Sequence, residues 1–193
     1  MGCGASLPAS DKGKNFAPQG ITRPVYRGTG AADAMGYILE DNPGFITTKR
    51  PGDFHRQNVD SAAYFTFDKE YARSCRPPAG KIIRQDIPRE MLHSNKAYKF
   101  DDVPTDDWRR FVEANRRQER IQQGKMRKVQ HMDIIEGPVS DTSTKNFTKD
   151  QPPIPAARFK PARNQRGDEY VQQIAFKNHM IQEVARLPKR LTD

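Results

Sequence analysis

The chain is poor in cysteine: its 193 residues hold only Cys3 and Cys75. Cys3 lies in a stretch that reads as a tail, so no structural disulfide is expected and the usage suits a reducing cytosol. No window approaches the ~18 consecutive apolar residues of a membrane span. No apolar core of a signal peptide stands near the start, so an ordinary secretory signal is not expected. The four histidines, His55, His93, His131 and His179, have no metal-ligand spacing, and no metal is expected. Apolar residues are also modest, at 35% with a mean hydropathy of −0.91. That is material for one core, hence one domain with tails. The 15 prolines add to the expectation that much of the chain is loop or tail.

Positive charge is plentiful. Lys and Arg number 33 against 24 acids, a net +9 and a pI near 9.7. Such a balance favours anionic partners: a phosphate-bearing ligand, acidic lipid or nucleic acid. Residues 109–128 alone hold eight basic side chains and two acidic ones. The plain reading of that run is a solvated helix face, and nucleic acid is not the expected partner. The first residues, Met1-Gly2-Cys3-Gly4-Ala5-Ser6, match an N-myristoylation pattern, with Cys3 where a palmitoyl group often accompanies it. One myristoyl chain binds membrane only marginally, with K of about 10⁴ M⁻¹. Cys3, Lys12 and Lys14 would supply the second signal. The competing reading is a plain flexible tail over 1–22.

Along the chain, strands and helices mix without a βαβ repeat, which predicts α+β rather than doubly wound α/β. Val25-Tyr26-Arg27 reads as a strand ended by Gly28. Apolar spacing predicts a helix over 31–40, stopped by Asn42-Pro43-Gly44. A polar loop is expected over 47–61, a strand over 62–67, and a helix over 69–75 capped by Asp68. Strands are expected at 81–87, 97–100, 132–135 and 171–176. A helical turn follows Pro88. Acids at 106 and 107 open a helix expected to reach about Gln123, with Trp108, Phe111 and Val112 as its apolar stripe. Residues 137–168 hold five prolines and read as a long loop or lid. A last helix should end before Pro188, leaving 189–193 as tail.

Three segments resemble toxin-type ADP-ribosyltransferases in order: Val25-Tyr26-Arg27-Gly28-Thr29 with Pro43-Gly44-Phe45, then Tyr64-Phe65-Thr66 with Ala72, then Gln172-Gln173-Ile174-Ala175-Phe176. A wider resemblance, over roughly residues 24–187, is to a bacterial and fungal domain family of unknown function classed as ADP-ribosyltransferase-like. It rests on Trp108-Arg109-Arg110-Phe111-Val112-Glu113-Ala114-Asn115-Arg116, on Asp133-Ile134-Ile135-Glu136-Gly137-Pro138-Val139-Ser140-Asp141, and on Gln173-Ile174-Ala175-Phe176. The chain departs from that family at Arg27, where the family has His, and at Asp60-Ser61-Ala62, where it has Gly-x-Gly. Glu136 stands in a usually apolar place. Toxin-like enzymes carry a final glutamate where this chain has Gln173. The resemblance implies two small antiparallel or mixed sheets around an NAD cleft, with flanking helices over 23–188.

Strand alternation permits Arg27, Tyr64, Thr66 and Gln173 to line one cleft, with Phe65, Ile174 and Phe176 turned to the core. Each type suits NAD. Arg27 is a fork of donors for phosphate or ribose oxygens. Tyr64 offers a flat ring to nicotinamide. Thr66 has a hydroxyl for a carboxamide or for Arg27. Gly28 and Thr29 bring backbone N–H groups close. The resemblance gives Gln173 the place of the carboxylate that steadies charge on the ribose; losing such a group costs about 2.7–4 kcal/mol, or 10²–10³ in rate. Glu169, and less directly Glu136, are the candidate substitutes. Cys75 reads as a small buried residue. The implied function is an NAD-dependent mono-ADP-ribosyltransferase or NAD glycohydrolase acting on a protein target. NAD would be its substrate, and a cytoplasmic monomer, associated with membrane through Gly2 and Cys3, is expected. The alternatives are a non-catalytic binder of NAD, ADP-ribose or a protein, and a lipid-anchored basic adaptor at acidic membrane.

Overall fold

A computed structural model of the protein describes residues 20–48, 52–56, 61–142 and 159–192. The candidate acylation residues Gly2 and Cys3, the tail lysines, Asp60 and the middle of the 137–168 segment lie outside that set. In chain order the elements are β1 (Thr22–Thr29), α1 (Ala31–Glu40), β2 (Thr47–Thr48), β3 (Ala62–Thr66), α2 (Lys69–Cys75) and β4 (Lys81–Pro88). Then come α3 (Arg89–Leu92), β5 (Ala97–Lys99), α4 (Asp106–Arg116), α5 (Gly124–Gln130), β6 (Ile134–Pro138), β7 (Gln172–Lys177), α6 (Met180–Ala185) and β8 (Lys189–Thr192). The class is mixed α+β.

Instead of two small sheets, the described strands form one mixed eight-stranded sheet, in the order β5-β6-β7-β3-β1-β4-β8, with β2 added on β3. The reason is one registered pair, Tyr26↔Thr66, the whole join between β1 and β3. By contrast β1 pairs with β4 over eight residues, and β3 with β7 over five. The sheet therefore has a weak seam at its centre, where the two halves part.

Alternation along the strands loads both faces with apolar side chains. Val25, Phe65, Ile83, Ile134, Ile174 and Phe176 pack under α1 and α6. Ile135 and Ala175 turn to the other face and join Trp108, Phe111 and Val112 of α4, with Phe54 beneath. Trp108 is buried, and its Nε1 donates to the Pro138 carbonyl at 3.0 Å, so the ring is both packed and satisfied. Caps fix the helices that flank the site. Asp68 accepts the Tyr71 N–H at 3.0 Å to start α2, and Thr105 accepts the Trp108 N–H at 3.3 Å to start α4.

Two elements differ from the sequence expectation. The expected helix to Gln123 ends at Arg116, and α5 begins anew at Gly124. The buried Gln130 side chain explains the break. Its Oε1 accepts the Ile121 N–H at 3.0 Å, and its Nε2 donates to Asn115 Oδ1 and to the Glu119 carbonyl. Backbone groups that would have continued the helix are satisfied from outside it. Likewise 189–193 is not simply a tail: β8 pairs with the edge of β4, Ile83 opposite Leu191. The described ends of the 137–168 segment are also pinned, with bridges Ser140↔Pro161 and Arg163↔Tyr170.

Candidate functional site

The seam opens a cleft. Beyond Tyr26↔Thr66 the Arg27 side chain reaches across the gap, and its Nη1 donates to the Tyr64 carbonyl at 2.8 Å. The guanidinium has no ion pair among the described residues, and its Nε is buried without a hydrogen-bond partner. Burial pushes the Arg27 pKa down to about 10, against the smaller opposing pull of Tyr37 and Asp33. Arg27 thus stays charged at neutral pH, with most of its donors unengaged.

Two adjoining hollows of about 270 and 290 Å³ meet there. They share Arg27, Tyr64, Val139 and Gln173, so the three side chains predicted to converge line one two-lobed cleft. Ligand sites run from ~300 Å³ upward, and the two lobes together reach that size. Tyr64 is held firmly. Its ring packs on Phe54 and His55, and its hydroxyl accepts the Phe54 N–H at 2.7 Å and faces His55 Nδ1 at 3.0 Å. Gly52 permits this approach, since a Cβ there would lie 2.5 Å from the hydroxyl.

Gln173 is held in one orientation. Its Nε2 donates to Asp53 Oδ2 at 2.5 Å and to the Pro138 carbonyl at 3.3 Å. Both neighbours are acceptors, so only the amide nitrogen can face them. The amide oxygen is turned away and has no partner among the described residues. It therefore offers an acceptor to the cleft that Gln173 lines.

Asp53 is the residue the sequence did not flag. It is only 4% exposed, and it also accepts the Ser140 N–H at 2.8 Å. Its other oxygen takes the Arg116 Nε at 2.6 Å and Nη2 at 2.5 Å, while Arg116 continues to the Ser140 and Thr142 carbonyls. The buried carboxylate is thus paired and fully bonded, which is what burial of a charge requires. The run 109–128 is accordingly not all solvated face: Arg116 and Arg117 are turned inward, Arg117 on Glu113 at 3.1 Å. A signal existed. Asn115 falls on the Phe111/Val112 stripe and Arg116 at its edge, one turn beyond the apolar residues.

Other candidates sit elsewhere or do other work. The Thr66 hydroxyl lines the cleft but donates to the Gln172 carbonyl at 2.8 Å and accepts the Asp68 N–H at 3.1 Å. Gly28 is needed for helix packing: a Cβ there would lie 2.0 Å from the Ala72 carbonyl oxygen of α2. Thr29 is buried and lines neither lobe. Glu169 lines a separate polar hollow with Asp68 and Glu70. Glu136 faces the opposite side of the sheet, bonded to Arg23 and Lys99. Cys75 is exposed rather than buried, and its free thiol lines the cleft beside Tyr71. Burial, and after it the Cys75 thiol, raises the Tyr71 phenol above its ordinary value, so it stays protonated.

Among the described residues no group of three or more His, Cys, Asp or Glu is placed to hold a metal, and no helix is long and apolar enough to cross a membrane. In comparisons with known proteins, no family model, no curated protein and no solved structure matches the chain.

Proposed function

We propose that the chain is an ADP-ribosyltransferase-like protein that binds NAD in the two-lobed cleft and cleaves its nicotinamide–ribose bond, as a mono-ADP-ribosyltransferase or an NAD glycohydrolase. The observation that carries the reading is the cleft's charge pattern. Arg27 is a cation with no carboxylate in contact among the described residues, and Gln173, lining the same cleft, has an amide oxygen without a partner among them. A ligand with an anionic part and ribose hydroxyls supplies what each lacks. The pyrophosphate or a ribose oxygen takes the unengaged donors of Arg27. A ribose hydroxyl donates to Gln173 Oε1, and nicotinamide lies against the fixed ring of Tyr64.

In the reaction the C1′–N bond breaks and its electron pair leaves with nicotinamide. The ribose gains cation-like charge until water or an acceptor side chain attacks C1′ and gives up its proton. Gln173 steadies that charge through its amide dipole, which Asp53 polarises from behind. With no full charge at the ribose, turnover is expected to be slow. Incubation with NAD labelled in the nicotinamide ring, with release and protein labelling followed over hours, tests the activity. Neither product at micromolar protein would refute the catalytic reading.

The second reading is a non-catalytic NAD or ADP-ribose binder. It is favoured by one observation: the carboxylate behind Gln173 is already neutralised by Arg116. Saturable heat on titration with NAD, without nicotinamide release, would select it. Under either reading, acylation at Gly2 and Cys3 would bring the cleft to a membrane surface.

A further inference from the structure

The other face of the sheet carries a cavity of about 260 Å³ that the NAD reading leaves unused. Leu92, Ala97, Ile134 and Ile174 give it an apolar floor. Arg23, Arg89, His93, Lys99 and Glu136 also line it. Glu136 is the one ionisable residue of β6, a strand buried along its whole length. A carboxylate in such a strand is costly to desolvate, and an apolar residue there is often neutral or better for stability. Its presence calls for another role.

That role is to set cations in place. Arg23 Nη1 bonds both Glu136 oxygens, at 3.1 and 3.2 Å, while the guanidinium lies 3.5 Å over the Phe67 ring. Lys99 Nζ reaches the same carboxylate at 3.1 Å and Asp102 at 3.1 Å. Burial works against the Lys99 charge, but its bonds to Asp102 and Glu136 outweigh it and raise its pKa. Arg89 is exposed at the rim and has no ion pair among the described residues. Three cations therefore stand at the cavity against two carboxylates, Glu136, which Arg23 and Lys99 hold, and Asp102, which Lys99 also holds. The other donors of Arg23, and all those of Arg89, remain for a guest.

We propose that this cavity is a second ligand site, for a small organic anion whose phosphate or carboxylate is held by Arg23, Arg89 and Lys99 and whose apolar body rests on Leu92, Ala97, Ile134 and Ile174. The volume, close to the ~300 Å³ lower end of ligand pockets, sets the body at about one ring. The site does not depend on NAD in the cleft: the sheet separates the two.

Magnetic-resonance titration of the isotope-labelled chain tests it. Phenyl phosphate, benzoate, inorganic phosphate and benzyl alcohol serve as parallel probes. Phenyl phosphate or benzoate should saturate shifts in residues 89–99 and 134–136, and the tighter of the two identifies the head group. Inorganic phosphate and benzyl alcohol, each lacking half of the chemistry, should bind at least about tenfold more weakly. Arg89→Ala removes an exposed side chain with no internal partner, so the fold is kept, and it should weaken the better probe about tenfold. Lys99→Met should do the same. Absence of saturation overturns the proposal. So do equal binding of inorganic phosphate, full affinity in Arg89→Ala, or shifts centred on Tyr64 and Gln173.

Discussion

Exchanging the amide and the carboxylate between positions 173 and 53 tests the chemistry of the cleft. Gln173→Glu alone would set a carboxylate where Nε2 now lies 2.5 Å from Asp53 Oδ2 and 3.3 Å from the Pro138 carbonyl. Two carboxylates so close share a proton, so one is neutral around pH 7 and little charge is gained at the ribose. Asp53→Asn with Gln173→Glu removes the conflict. The asparagine introduced at position 53 keeps an oxygen for Arg116 and turns its NH₂ to the glutamate introduced at position 173, which then offers a charged oxygen to the cleft. Two bonds are lost: the Ser140 N–H now meets a donor instead of Asp53 Oδ2, and the glutamate has no N–H for the Pro138 carbonyl. The first costs stability by about 1–3 kcal/mol and the second less, since the Pro138 carbonyl keeps the Trp108 Nε1–H. The rate gain should be the value of one preorganised charge, about 2.7–4 kcal/mol or 10²–10³-fold. The assay is nicotinamide release from labelled NAD at saturating substrate, with thermal unfolding run on the same samples. The double variant should exceed the parent by that factor and Gln173→Glu should lie between them, rising with pH as the shared proton leaves. A folded double variant no faster than the parent refutes the placement of the ribose at Gln173.

Arg27→Lys keeps the charge but loses the fork; NAD affinity by calorimetry should fall about tenfold, with the thermal midpoint nearly unchanged. Because the free protein's Arg27 loses its proton around pH 10, and a bound anion favours the charged form, affinity should be flat through neutral pH and decline as pH rises through about 10. A decline already present at pH 8 would mean another group controls binding. Gly28→Ala places a Cβ 2.0 Å from the Ala72 carbonyl oxygen and 2.9 Å from the Arg76 nitrogen, both backbone, so α2 must shift off β1. Urea unfolding should show a loss of about 1–3 kcal/mol, and an unchanged midpoint would contradict that packing.

The parts of this fold that local rules govern were legible. The apolar spacing of α1, the Asp68 cap of α2 and the alternation of β3 and β7 each act within a few residues, and each element stands where those rules place it. What was not legible depends on distant partners. The break after Arg116 is imposed by Gln130, a long side chain reaching back to Asn115 and Ile121. The strand β8 exists because the edge of β4 is free to receive it, which no window around Pro188 reveals. At the site, alternation set Tyr64 and Gln173 on one face, but it leaves Arg27 on the face of Val25; Arg27 reaches the cleft only because β1 and β3 part beyond Tyr26↔Thr66. Asp53 was invisible because a single Asp in a polar loop carries no pattern; only folding sets it under Gln173 and against Arg116. Glu169 looked near in sequence, four residues from Gln173, yet the hairpin turn carries it to a different hollow.

The most direct measurement is a crystal structure of the chain with NAD bound. The account predicts a ribose hydroxyl within hydrogen-bond distance of Gln173 Oε1, with Asp53 still behind the amide, and phosphate or ribose oxygens on Arg27. NAD lodged elsewhere, or absent at saturating concentration while Arg27 holds only the Tyr64 carbonyl, would contradict it.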